Sequence, residues 1–332
     1  MEVNYFLIGS MFLTLIICLL SGFPIAYALG GIAVLFAGIG YLSDTYLGAA
    51  TGLDYTTTGL FVNRIYKLMD NWVLVALPMF VFMGLMLEKS GVARLAMQSS
   101  QALFGEVKGG LAVTVTIIGM LLAASTGIIG ASVVLLGTLS LKTMLNQGYQ
   151  KTFAVGTIAS AGTLGILIPP SIMLVIMADQ LSLSVGDLFM GALLPGLLLG
   201  VLYLIYILIY AAMNPKAAPL LPDRQPVSWR TATHALKTMA PLFGLIIAVL
   251  GSIFAGIATV TEASGIGALG SILLASYFRN LNFKVISDVT KSTFTTTAYI
   301  FAILVGATCF SLVLRELGGD ELIETAFTAV NF

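Results

Sequence analysis

The sequence predicts an all-α integral membrane protein, and its composition, the length of its apolar segments and the position of its charges support that fold class. Of the 332 residues, 58% are hydrophobic and 9% are charged, and the mean hydropathy is +1.03. A water-soluble domain cannot hide so much apolar surface. The apolar runs reach the roughly 17 to 25 residues that a spanning helix needs, and the alternating segments of a transmembrane barrel are not found.

The spanning helices can be placed from the apolar runs and the residues that interrupt them. The first two are predicted at residues 5–20 and 24–42, because Ser21-Gly22-Phe23 separates them and Pro24 suits a first helical turn. A polar segment that begins EKSGVARL at Glu88 is predicted to be a surface helix or arm. The remaining spans are predicted at residues 71–87, 188–212, 239–257, 261–278 and 294–314.

Residues 109–145 are predicted to form a re-entrant hairpin that enters and leaves the membrane on one side. The segment is apolar, but its centre reads AASTGIIGAS, which is small and partly hydroxylated. Two full spans and a loop would need more residues than this segment contains. Irregular backbone at membrane depth is tolerated where it lines a protein site or a cavity.

Residues 151–177 are predicted to form one discontinuous helix. They contain ASAGTLGILIPPSI, in which two glycines precede the adjacent Pro169 and Pro170. Proline has no backbone N–H and interrupts the helical hydrogen-bond ladder. The break is therefore expected between Thr163 and Pro170.

The lysines and arginines predict which side of the membrane each loop occupies. With a periplasmic N-terminus, twelve of the fifteen Lys and Arg residues fall on the cytoplasmic side. Arg64, Lys67 and Arg315 fall outside. This bias follows the positive-inside rule and requires that the hairpin does not cross the membrane.

Two segments of the chain are similar at a constant offset of 227 residues. NWVLVALPMFVFMGLMLEKSGVARL, which begins at Asn71, aligns with AYIFAILVGATCFSLVLRELGGDEL, which begins at Ala298. The predicted topology makes this an inverted repeat, as in many secondary transporters. We expect a first repeat at 1–212, a cytoplasmic linker at 213–237, and a second repeat at 238–332 whose hairpin and broken helix would lie beyond Phe332.

Several functions lack the residues that they need. The spans contain no opposed aspartates, no H-E-x-x-H and no serine with a histidine partner, so no enzyme is expected. Cys18 and Cys309 lie in apolar helices and are not expected to form a disulfide, and His234 has no neighbouring ligands for a transition metal. The net charge of zero provides no surface for nucleic acid.

The remaining polar groups suit a sodium ion and a carboxylate. Carbonyls at a helix break can bind a small cation, while helix N-termini and hydroxyls can receive an anion. The alternative is that these small residues only allow close helix packing. Glu262 is better explained as part of a capping box with Thr259. The residues of the hairpin tip and the break that carry the site hypothesis are Ser125, Thr126, Gly127, Gly130, Ser132, Thr163, Gly165 and Ser171.

Five motifs resemble the large membrane subunit of the TRAP transporters, the tripartite ATP-independent periplasmic carriers with a DctM-like large permease. They are GTLGILIPPSI, AASTGIIGASVV, LPMFVFMGLMLEKSG, GDLFMGALLPG and GIATVTEASG. Within the family, the branch labelled for mannitol or chloroaromatic compounds is the most similar. The resemblance extends over essentially the whole chain. Val260 stands where the family usually has proline, and the family continues for about another hundred residues.

The resemblance implies an elevator-type secondary transporter of organic acids in the bacterial inner membrane. Sodium would be the coupling ion, with no other cofactor. A periplasmic binding protein, a small membrane subunit and membrane lipid would be its partners, and a 2-oxo or hydroxy monocarboxylate is the expected substrate. A non-transporting fragment and a symporter that needs no binding protein remain as alternatives.

The resemblance also assigns roles to the site residues. The cation site would use Ser125 and Thr126 of the hairpin tip with Thr163 and Gly165 of the break. The remaining polar and small residues are expected to contact the substrate, and they are Gly127, Gly130, Ser132 and Ser171.

Overall fold

The structure is a computed structural model that describes residues 2–104, 107–126, 129–220 and 229–329. Within these ranges the regular elements are all helical, which confirms the predicted fold class. The α-helices are α1 (Glu2–Leu20), α2 (Ile25–Leu47), α3 (Tyr55–Met69), α4 (Ala76–Lys89), α5 (Val92–Phe104), α6 (Gly110–Thr126), α7 (Ile129–Leu136), α8 (Lys142–Asn146), α9 (Lys151–Thr163), α10 (Ile172–Gln180), α11 (Val185–Met213), α12 (Trp229–Phe254), α13 (Val260–Tyr277), α14 (Phe283–Glu316) and α15 (Gly319–Ala329).

Six helical segments among the described residues are long and apolar enough to cross a membrane. They are Val3–Leu20, Ile25–Tyr46, Trp72–Lys89, Val185–Met213, Thr233–Phe254 and Phe283–Glu316. The span predicted at 261–278 is also helical, as α13, but it is not among the six. Its glycines and serines, together with Thr261 and Glu262, lower its hydropathy.

Some helices differ from the prediction in length or were not expected. α12 begins at Trp229, inside the predicted 213–237 linker, and α14 begins at Phe283 rather than near residue 294. Ala235 is fully buried in the polar first turns of α12, so packing extends that helix where hydropathy does not. α3 and α15 lie in segments for which no helix was expected, because both segments are too polar for a hydropathy pattern to detect.

Contacts divide the chain into two compact units. The first contains the residues up to Asn71 and those from Thr295 onward, and the second runs from Trp72 to Phe294. In the first unit, α1, α2 and α14 share a core that includes Met11, Ala33 and Val313, each without exposed surface. These units are defined by contacts and the predicted repeats by sequence, so the repeat boundaries stay a prediction.

In the second unit, the predicted hairpin consists of α6 and α7 followed by a π-helical turn at Gly137–Leu141 and then α8. A Cβ atom built on Gly119 of α6 would lie 3.2 Å from Leu136 of α7. Gly119 lies as far before the end of α6 at Thr126 as Leu136 lies after the start of α7 at Ile129, so their contact shows that α6 and α7 run antiparallel. Tyr149 is buried, and its hydroxyl lies close to the backbone N–H groups of Leu111 and Ala112 at the start of α6. This contact packs the base of the hairpin against the segment that precedes α9.

The two segments aligned in sequence also have the same local backbone structure. α4 ends before Gly91 and α14 ends before Gly318, and both glycines have positive φ, 76° and 84°. The amide of Gly91 donates to the Glu88 carbonyl, and that of Gly318 to the Arg315 carbonyl. The amides of Leu95 and Leu322 then donate to the Gly91 and Gly318 carbonyls, respectively. Each pair is separated by 227 residues, the same offset as in the predicted repeat.

Candidate functional site

The helix break lies where the sequence predicts it. α9 ends at Thr163, a 3-10 turn covers Leu164–Ile166, and α10 begins at Ile172. Pro169 has no N–H to donate to the carbonyl of Gly165, and no other backbone donor within the described residues reaches that oxygen. Gly165 is buried. Its carbonyl is therefore a buried acceptor that is available to a cation.

The hydroxyls at the break bond to backbone oxygens. The Thr163 hydroxyl donates to the Ser160 carbonyl at 2.8 Å, and the Ser171 hydroxyl donates to the Ile166 carbonyl at 3.0 Å. Each hydroxyl uses its proton in this bond and keeps its oxygen lone pairs. Both oxygens can therefore still bind a cation or accept a hydrogen bond.

Two helix ends of opposite polarity meet at this break. The C-terminus of α9 carries partial negative charge and favours a cation, while the N-terminus of α10 favours an anion. Ser171 occupies the N-cap position of α10, but its side chain makes no capping bond. No charged residue occurs between Lys151 and Asp179. The helix dipoles therefore dominate the local electrostatics of the segment itself.

The hairpin packs against the end of α9. A Cβ atom on Gly162 would lie 3.0 Å from the backbone nitrogen of Val133 in α7, and one on Gly119 would lie 2.8 Å from Ala161. Both hairpin helices thus contact α9 one turn or less before Thr163. Ser132, the neighbour of Val133, is fully buried.

The structure therefore brings Ser132 of α7 close to the break that contains Thr163, Gly165 and Ser171. Gly130 is exposed in α7, with nothing within 4 Å of a Cβ atom built on it. The backbone of Ser125 and Thr126 forms the last turn of α6, and their side chains are outside the described part of the structure. Gly127 lies outside the described residues. The expected pairing of Ser125 and Thr126 with the break stays a prediction.

An apolar cavity beside the break is not evident from the sequence. Its volume is about 430 Å³, and it is lined by Met120 and Leu121 of α6, by Ile168 and Pro169, and by residues of α11 and α12. Its lining provides no charged group, so it does not suit a carboxylate. Residues from four segments far apart in the chain form it, which no local pattern reveals.

Glu262 forms the capping box that the sequence predicts. The Thr259 hydroxyl accepts from the Glu262 amide at 3.3 Å, and the Glu262 carboxylate accepts from the Thr259 amide at 2.8 Å. Both groups satisfy donors at the start of α13. This hydrogen bonding accounts for Glu262 without a role in binding.

A charge-free helix break packed against a helical hairpin, in a protein with several spans, is typical of secondary transporters. Residues 12–331 match the sequence profile of the family described as the tripartite ATP-independent periplasmic transporter, DctM component. The chain belongs to this family. The family is one of transporter components and not of enzymes, and the several apolar helices make this chain a multi-pass inner-membrane protein.

Curated proteins that are similar in sequence to this chain carry names of the same family. The C4-dicarboxylate TRAP transporter large permease protein DctM of Vibrio cholerae is 33% identical over 276 residues, covering 81% of this chain and 56% of the relative. The ectoine/5-hydroxyectoine large permease UehC of Ruegeria pomeroyi is 29% identical, covering 92% of this chain and 68% of that protein. The sialic acid large permease SiaM of Vibrio cholerae is 27% identical, covering 98% and 72%. The chain thus spans a little over half to about three quarters of the length of these relatives.

Proposed function

We propose that this chain acts in a sodium-coupled importer of an organic acid, with the break between α9 and α10 at the binding site. The observation that carries the proposal is the buried Gly165 carbonyl, which lacks its helical donor at a break between two helix ends of opposite polarity. A sodium ion would bind oxygens at the α9 end. A carboxylate would bind near the α10 N-terminus and Ser132.

The rest of the assembly belongs to the same proposal. A periplasmic binding protein delivers the substrate, and a small membrane subunit completes the permease. The relatives carry names for a C4-dicarboxylate, for ectoines and for sialic acid, so the family's substrates differ in size and charge. A 2-oxo or hydroxy monocarboxylate is the substrate class that we propose for this chain.

Uptake into proteoliposomes tests the proposal. The vesicles hold the permease with its small subunit, the binding protein is added outside, and uptake of 2-oxo, hydroxy and C4-dicarboxylic acids is measured against sodium concentration. Thr163→Val removes one cation ligand and keeps the side-chain shape, so the half-saturating sodium concentration should rise by about five- to thirtyfold, the equivalent of roughly 1–2 kcal/mol.

Thr157→Val is the matched control. Thr157 lies on the same helix, is buried where Thr163 is half-buried, and is more than one turn before the break. Its replacement should leave the sodium dependence unchanged. Equal sodium dependence for the parent and Thr163→Val would contradict a sodium site at the break and would favour close packing as the role of these residues. Sodium-driven uptake without the binding protein would instead favour an independent symporter.

A further inference from the structure

A polar cleft lies at the base of the hairpin, away from the helix break. Its volume is about 680 Å³, and its wall comes from the end of α4, the start of α5, the hairpin and the turn between α13 and α14. A second cleft of about 240 Å³ adjoins it along the polar side of α5. The two clefts share Arg94, Thr138 and Leu139. Together they form one polar groove between α5 and the hairpin.

The groove has an excess of positive charge. Its charged lining residues are Glu88, Lys89, Arg94 and Arg279. Lys89 donates to the Asp288 carbonyl and to the Ser292 hydroxyl, so its ammonium group is held against α14. Within the described ranges the ion pair in the structure joins Arg315 to Asp320. Arg94 and Arg279 therefore line the groove without a carboxylate partner in that part of the chain.

The start of α5 adds backbone donors to the same groove. The first helical bond of α5 runs from the Leu95 amide to the Gly91 carbonyl, so Gly91 occupies the N-cap position. Glycine has no side chain with which to cap the free amides of Ala93 and Arg94, and no acidic residue lies in the first turn. Ala93 and Arg94 both line the cleft. These amides and the helix dipole favour an anion at this position.

Two backbone features of the wall are uncommon. Arg279 has φ of 58°, in the left-handed region that favours glycine. It follows Phe278, the C-cap residue of α13, where a positive charge complements the helix end, but glycine would suit that backbone better. Thr138, which lines both clefts, lies in the π-helical turn Gly137–Leu141, and such turns are frequent at functional sites. Arginine thus occupies a position whose backbone conformation favours glycine.

We propose that this groove binds an oxyanion, a phosphate or carboxylate group held by Arg94, Arg279 and the free amides of α5. Arginine presents a planar set of donors that matches two oxygens of such a group. The volume of the groove exceeds that of a single phosphate and accommodates a small organic acid or a lipid headgroup. The site is separate from the helix break, and it does not depend on the proposed transport function.

Thermal unfolding of the purified chain in detergent tests this proposal. Inorganic phosphate is titrated at constant sodium concentration and constant ionic strength, so that a sodium site and general screening contribute no change. Phosphate should raise the unfolding temperature, because a ligand that binds only the folded state stabilises it. The rise should be lost in Arg94→Gln. It should persist in Arg64→Gln, which removes an exposed arginine from the other compact unit.

Arg279→Gly is a second variant, and it is expected to fold at least as stably as the parent chain. Glycine relieves the left-handed backbone, so the unfolding temperature without phosphate should be equal to or above that of the parent. The phosphate-dependent rise should nevertheless be lost. A stable Arg279→Gly chain that keeps the full rise, or a parent chain that shows no rise with any oxyanion tested, would overturn the proposal.

Two further titrations separate the sources of the oxyanion. Succinate tests a free carboxylate, and phosphatidylglycerol compared with phosphatidylcholine tests an anionic lipid headgroup. A rise with succinate or phosphate, sensitive to Arg94→Gln, assigns the groove to a free solute. A rise with phosphatidylglycerol alone, with the same sensitivity, assigns it to the lipid. Both results support an oxyanion site.

Discussion

At the scale of single residues, one side chain at the helix break replaces a missing backbone donor. Pro170 cannot donate to the Ile166 carbonyl, and the Ser171 hydroxyl does so instead at 3.0 Å. Pro169 likewise cannot donate to the Gly165 carbonyl, and nothing described replaces that donor. Of two neighbouring carbonyls, one is therefore satisfied by the chain and the other is left for a ligand.

We predict that Ser171→Ala destabilises the protein. Ser171 is fully buried, so its loss leaves the Ile166 carbonyl without a donor, at a cost of about 1 to 3 kcal/mol. The measurement is the unfolding temperature in detergent. Thr45→Ala is the control, because the Thr45 hydroxyl also donates to a helix carbonyl but is exposed. A loss of stability in Ser171→Ala no larger than that in Thr45→Ala would contradict the stated role of Ser171.

At the scale of helices, glycines set how closely the hairpin approaches α9. The helix positions of Gly119 and Gly162 leave no room for a Cβ atom against Ala161 and Val133. A side chain at either position would push the hairpin away from the break. The small residues that mark the candidate site in the sequence thus also serve packing, and both interpretations apply to the same helix pair.

A pair of alanine substitutions on α9 tests whether Gly162 is needed for the packing of the hairpin. Gly162→Ala should destabilise by about 1 to 3 kcal/mol, because its Cβ would lie 3.0 Å from the Val133 nitrogen. Gly156→Ala lies on the same helix, with nothing within 4 Å of its Cβ, and should stabilise by up to about 1 kcal/mol through helix propensity. Thermal unfolding of the two variants is the measurement. Shifts of the same sign would mean that the hairpin does not pack on α9 at Gly162.

The sequence predicts the elements that are specified by residues close together in the chain. The break at Thr163, the hairpin and the Thr259 capping box each follow from residues that are neighbours in the chain. The start of α12 was wrong by about ten residues, because burial of Ala235 extends the helix into a polar stretch. The groove of Arg94 and Arg279 was missed for a different reason. Its walls come from distant segments, and each arginine alone resembles an ordinary surface charge.

At the scale of the whole molecule, the predicted repeat aligns two helix ends whose neighbouring charged residues differ. The glycines at 91 and 318 end α4 and α14 with the same hydrogen bonds, although Lys89 corresponds to Glu316 and Glu88 to Arg315. A backbone feature is preserved while the charges are exchanged. Charges that differ in this way are expected for an inverted repeat, since the positive-inside rule acts oppositely on its two copies.

The predicted topology can be measured by labelling single cysteines in a chain whose Cys18 and Cys309 are replaced by alanine. Cysteines at Lys108 and Lys142, which flank the hairpin and are exposed, should react with a membrane-impermeant reagent from the same side.

Cysteines at Arg64 and Arg315 should react from the opposite side, because the charge bias places these two arginines outside. A hairpin that crosses the membrane would put Lys108 and Lys142 on different sides. It would also move the later lysines and arginines across and remove the charge bias, since all loops after the hairpin would change sides. Labelling of Lys108→Cys and Lys142→Cys from opposite sides would therefore contradict the re-entrant hairpin and the inverted orientation of the repeat together. Labelling of Arg315→Cys from the same side as Lys108→Cys would contradict the inverted orientation alone.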